Sequence, residues 1–158
     1  MCCKEEHEFP SKLISAKVNK TMHNIVEFSN RRFKKYGLTH QQAMVLVAID
    51  RAEAENKRIN QKDIEKFLQI RNPSVTSLLN TMVKKGLIRR IQDCKDARSN
   101  IIEMTDEGKE KKRHIMEVFR ATDITLTKDM TVDEIMMLQN LMERMIGNIE
   151  GVEKEEKN

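Results

Sequence analysis

Residues 59–108 constrain this chain more than any other stretch, because two short helical patterns are followed at once by two strand patterns. Asn72 is placed to cap a helix, and Pro73 suits its first position, where no N–H is needed. Val75, Leu78, Leu79 and Met82 then recur at helical spacing and predict a buried side. At about 100° per residue the opposite side carries Pro73, Thr76, Ser77, Asn80 and Lys84, flanked by Thr81. This outer face is small, polar and free of acid. Such a surface can lie on the floor of a DNA major groove, where side chains meet base edges. Gly86 ends the helix, and Lys84 and Lys85 suit its C-terminal end.

Upstream, Asn60 caps a shorter helix with Asp63 three residues on, and Ile64, Phe67 and Leu68 form its inner face. Only residues 69–71 separate the two helices, with Ile70 available to plug the corner, which is helix-turn-helix spacing. After Gly86 the period changes. Residues 87–91 and 100–104 are rich in β-branched side chains, and residues 92–99 between them are polar. That pattern predicts a two-stranded hairpin with a charged tip.

The hairpin region resembles the MarR family of bacterial transcription regulators. The resemblance is carried by Gly86-Leu87-Ile88, Arg90, Asp96-Ala97-Arg98 and Met104-Thr105-Asp106-Glu107-Gly108, in the family's order and spacing. With flanking helices of fitting length, it extends over roughly residues 11–149. It implies a mainly α fold with a small β-hairpin wing. The expected organisation is a flexible arm at 1–10, a single domain at 11–149 and a disordered tail at 150–158. Within the domain, 38–108 would form the winged helix-turn-helix and 11–36 with 109–149 the dimerisation helices. The expected DNA contacts are Pro73, Ser74, Thr76, Ser77, Asn80, Thr81 and Lys84 on the recognition helix, from the face described above, and Arg90, Lys95, Asp96 and Arg98 on the wing, which the resemblance assigns to the adjacent minor groove. Arg98 would enter the minor groove with Asp96 orienting it, since a lone carboxylate beside phosphates is repelled.

The flanking segments read as helices. Ile14, Val18, Met22, Ile25, Ser29, Phe33 and Tyr36 follow steps of four and three on a helix opening at Pro10 or Ser11 and closed by Gly37. Thr39 with Gln42 forms a capping box for a core helix, and residues 51–58 read as a charged link. A helix starting at Thr105–Glu107 is nearly all charge over residues 109–113, which reads as a solvated face, and it regains an apolar stripe at Ile115, Phe119 and Thr122. After a break at 127–130, Thr131 with Glu134 caps a last helix. Ile135, Leu138, Met142, Met145 and Ile149 form its stripe, widened by Met136, Met137, Leu141 and Ile146. So apolar a terminal helix requires a partner, either the first helix of the same chain or one across a two-fold axis.

Composition narrows the function classes. A net charge of +4 is only modestly basic, so the clustering of Lys84, Lys85, Arg89, Arg90, Lys95 and Arg98 around one helix end and hairpin matters more. Three cysteines at irregular spacing argue against a disulfide framework, and no apolar run is long enough for a signal core or a membrane span. A reducing cytoplasm is expected. Cys2, Cys3 and His7 have the chemistry to ligate a metal, but no second ligand cluster accompanies them, and a frayed terminus is the plainer reading. His7, His23, His40 and His114 are scattered, with no nucleophile at a recognisable spacing and no glycine-rich loop, so no enzyme activity and no cofactor are expected. Three readings remain. The first is a homodimeric repressor of an inverted-repeat operator, relieved by a small aromatic or lipophilic effector as the resemblance implies. The second is a protein-binding winged helix without DNA reading, against which the absence of exposed aromatics on the 73–84 face speaks. The third is a thiol-based sensor using Cys94, Cys2 or Cys3.

Overall fold

The computed structural model describes residues 13–70, 72–93 and 100–155. Helix α1 spans Ile14–Phe33, a 3-10 turn Lys34–Tyr36, α2 His40–Ala54, α3 Gln61–Leu68 and α4 Asn72–Lys84. Strands β1 (Ile88–Gln92) and β2 (Asn100–Met104) follow, then α5 (Asp106–Leu126) and α6 (Val132–Glu155). The chain divides after Thr122 into two compact units.

The helix boundaries have local causes. Thr39 accepts the amide of Gln42 while Gln42 accepts that of Thr39, and Asn60 and Asp63 do the same for α3. Thr131 and Glu134 repeat the exchange before α6. Three helix ends close with paired backbone bonds around a left-handed residue. At α4 the amide of Gly86 (φ 68°) donates to Val83 and that of Leu87 to Met82. Gly37 (φ 70°) and Leu38 close the 3-10 turn in the same way. Asn56 (φ 53°) does it for α2, donating to Glu53 while Lys57 donates to Ala52. The charged residues 51–54 are therefore helical, where a link had been expected. Helix α6 likewise runs on to Glu155, past the expected boundary at 149.

In the first unit Phe33, Leu46, Ile49, Ile64, Val75, Leu79, Met82, Ile88, Ile102 and Ile115 are fully buried in one cluster. Each such side chain contributes about 1.5–3 kcal/mol of transfer free energy. β1 and β2 pair antiparallel, with Ile88 opposite Met104 and Gln92 opposite Asn100. A third backbone segment joins them: Asn60 bridges to Ile101, and the Ile102 amide donates to the Ile59 carbonyl at 2.8 Å. This bridge ties the start of α3 to the hairpin. Phe33 meets Phe119 edge-on at 5.7 Å, and Tyr36 stacks on His114 at 4.3 Å, joining the end of α1 to α5.

The apolar stripe of α1 is buried only in its second half. Ser29 and Phe33 are covered, while Ile14, Val18 and Met22 are exposed. In the second unit Val132, Met136, Met137, Ile146 and Ile149 are all more than half exposed. None of the described helices is long and apolar enough to cross a membrane.

Candidate nucleic-acid interface

Helix α4 buries Val75, Leu79 and Met82, and turns Pro73, Ser74, Ser77, Asn80, Thr81 and Lys84 to solvent. It contains no acidic residue. Asn72 is its first helical residue rather than the flanking cap expected from sequence. The exposed side chains are not equivalent. The Thr81 hydroxyl donates back to the Ser77 carbonyl at 3.0 Å, so it is already engaged. Thr76 is only half exposed, and its hydroxyl is bound at both ends. It donates to Asn72 Oδ1 at 3.0 Å and accepts from Gln61 Nε2 at 2.8 Å. Ser77, Asn80 and Lys84 keep their side-chain groups unspent among the described residues, at about 40°, 340° and 20° around the helix from Pro73.

The neighbouring basic residues also separate. Lys85 Nζ reaches back to the Gly37 carbonyl at 2.9 Å and to Gln42 Oε1 at 3.2 Å. It therefore moors the end of α4 to the start of α2. Arg89 holds Glu103 across the hairpin through Nε at 3.1 Å and through a terminal nitrogen at 2.9 Å. Arg58 pairs with Asp93 at 3.0 Å at the base of the wing. Lys84 and Arg90 are exposed and make no ion pair among the described residues. Of the wing residues named from the sequence, Arg90 sits on β1 opposite Ile102. Lys95, Asp96 and Arg98 lie outside the described residues, as do Cys2, Cys3, His7 and Cys94. The charged run on α5 is largely absorbed within the chain. Lys111 pairs with Glu107 at 3.3 Å, Arg113 with Glu110 at 3.2 Å, and Lys112 with Asp50 of α2. No cluster of three metal-ligating side chains occurs among the described residues.

The Gln61 bond to Thr76, the mooring role of Lys85 and the Arg58–Asp93 pair act across elements and have no local signal in the sequence. The i,i+4 spacing of Asn72 and Thr76 was the one local sign of the bond between them.

Two helices joined by a short turn, a single-residue bridge and a two-stranded antiparallel hairpin define a winged helix-turn-helix protein. Residues 36–99 match the model of the MarR family. BadR of Rhodopseudomonas palustris, a transcriptional activatory protein, is 32% identical over 88 residues, 56% of this chain and 47% of BadR. The chain thus spans about half the length of that relative. The HTH-type transcriptional regulator MgrA of Staphylococcus aureus is 28% identical over 120 residues, 75% of this chain and 77% of MgrA. A mutant MarR from E. coli, solved in complex with operator DNA, superposes with a TM-score of 0.76 at 21% identity, covering 84% of this chain and 92% of that one.

Proposed function

We propose that this chain is a sequence-specific regulator that binds double-stranded DNA, with α4 in the major groove and the hairpin against the adjacent minor groove. The observation that carries the reading is the exposed face of α4. Ser77, Asn80 and Lys84 form an acid-free strip with donors unspent among the described residues, and Arg90 on β1 is exposed and makes no ion pair among them. Serine and asparagine can read base edges, while lysine and arginine neutralise phosphates. Relatives named as transcriptional regulators, and a similar fold solved with operator DNA, support the same role.

In this reading the protein is a homodimer, non-enzymatic and cytoplasmic. It most simply represses by occupying a promoter. The exposed apolar side chains of α1 and α6 supply the dimer surface. Arg98 inserts into the minor groove with Asp96 orienting it, and Lys95 meets phosphate. A small aromatic or lipophilic effector that relieves binding is part of this reading. Selection of duplexes from a random pool by the purified protein tests the function. Recovery of an enriched sequence is the expected result, and an unselected pool excludes sequence-specific reading.

A further inference from the structure

The start of α4 is held by a hydrogen-bond relay whose polarity is set from α3. Gln61 Nε2 lies 3.0 Å from Glu65 Oε1, 3.2 Å from Asn72 Oδ1 and 2.8 Å from Thr76 Oγ1. An ionised carboxylate only accepts, so the Gln61 atom facing Glu65 must be the nitrogen. That choice fixes the whole amide. The nitrogen carries two hydrogens: one goes to Glu65, and the other is shared between Asn72 and Thr76. Asn72 must then present its oxygen to Gln61, and the Thr76 hydroxyl hydrogen also goes to that oxygen at 3.0 Å.

Two consequences follow at the exposed surface. The Asn72 oxygen is committed inward, which leaves its Nδ2, a pure donor, unspent among the described residues. The Thr76 hydroxyl is committed too, so what remains of that side chain is a methyl group. Without the relay, Asn72 could turn either way and present both a donor and an acceptor, the combination that reads adenine through two bonds. With it, Asn72 reads an acceptor and Thr76 a methyl.

We infer that the Glu65–Gln61 pair is a specificity-determining, positioning element. It makes the N-terminal end of α4 complementary to a base-edge acceptor beside a thymine methyl group. Gln61 and Glu65 act through Asn72 and Thr76. The first turn of a recognition helix is the part that meets base edges in helix-turn-helix complexes. The inference rests on the DNA reading proposed above, and its test separates the two.

The experiment is duplex selection from a random pool with the parent protein and with Asn72→Ala, Asn80→Ala, Gln61→Met and Glu65→Gln. Asn72→Ala identifies the base pair read by Asn72 as the one whose preference it lowers. Gln61→Met keeps the side-chain length and the helix propensity but removes both donors. It is expected to lower the preference at that same base pair about tenfold, the size of one lost base contact. The preference mapped by Asn80→Ala should stay intact. Glu65→Gln removes the acceptor-only anchor, lets the amides turn, and is expected to relax the same base pair, which keeps the test independent of how well either variant folds. Retention of the parent preference at the Asn72 base pair in Gln61→Met overturns the inference. So does a uniform loss of affinity for all duplexes, which is the signature of a merely structural role. If Asn72→Ala shifts no preference while Asn80→Ala does, the relay is not a reader although the DNA reading survives. If the parent protein enriches nothing, it is the DNA reading itself that has failed.

Discussion

A Cβ placed on Gly108 would stand 2.1 Å from the carbonyl oxygen of Leu87. The same oxygen accepts the Thr105 amide at 3.1 Å, and the Thr105 hydroxyl donates to the Gly86 carbonyl while accepting the Gly108 amide. The end of α4 and the start of α5 are thereby latched at the root of the wing. Gly86, Leu87, Thr105 and Gly108 are among the residues that carry the resemblance to the MarR family, and their spacing has a mechanical cause here. The hairpin leaves and returns at one point, and only a glycine lets the backbones approach so closely.

Gly108→Ala should therefore destabilise the fold by about 3 kcal/mol, because the obstacle is backbone rather than a movable side chain. Thr105→Val should cost about 1–2 kcal/mol through the lost cap, and Thr105→Ser much less. Urea denaturation of the three variants checks both values. A Gly108→Ala protein as stable as the parent would show that the latch is slack.

Burial holds the His40 imidazole below its ordinary pKa of 6.5, and its Nδ1 has no hydrogen-bond partner among the described residues. The folded state then resists protonation where the unfolded chain accepts it. The stability contribution is complete above about pH 6.5 and is lost as the pH falls from there toward the folded pKa. The urea midpoint should accordingly drop between about pH 7.5 and about pH 5.5. His40→Gln should reduce that drop, and an unchanged pH dependence in the variant would place its origin elsewhere.

Asn80 and Lys84 share one face of α4 but should fail differently. Asn80→Ala should lose about 1–3 kcal/mol for the selected operator and little for unrelated duplex. Lys84→Ala should weaken both alike and flatten the slope of log affinity against log salt by about one unit. Titrations at several salt concentrations separate the two. Identical profiles would mean that neither residue reads bases.

What could be read from the sequence was mostly local. The capping boxes Thr39–Gln42, Asn60–Asp63 and Thr131–Glu134 lie within four residues of chain, and each formed as expected. The buried side of α4 and the ends at Gly37 and Gly86 follow from periodicity and from glycine's tolerance of positive φ. The α2 end at Asn56 escaped because asparagine, unlike glycine, does not stand out as a terminator, and charge at 51–54 resembled a link. Contacts between distant residues left no mark in the sequence. The Ile59–Ile102 bond, the Lys85 mooring and the Gln61 relay each depend on where two helices or strands happen to meet. For the site this mattered most at Thr76 and Thr81. Both looked like free hydroxyls on an outer face, yet both are engaged within the protein.

Dimerisation is expected from α6, where Val132 and Ile149 are 72% and 65% exposed. Apolar surface on that scale is normally covered by a partner. The parent protein should sediment as a dimer, and a Met137→Lys, Ile146→Lys double variant should shift toward monomer and lose operator affinity. A parent protein that sediments as a monomer at every concentration would remove the dimer from the account.

The central claim is that two copies of α4 read DNA together. Footprinting of the protein on its selected operator tests this most directly. The account predicts two protected half-sites related as an inverted repeat, centred about one helical turn, roughly 10 base pairs, apart. Asn80→Ala should weaken protection of both halves equally. Protection of a single asymmetric site by one copy per duplex, or protection that survives unchanged in Asn80→Ala and Lys84→Ala, would contradict it.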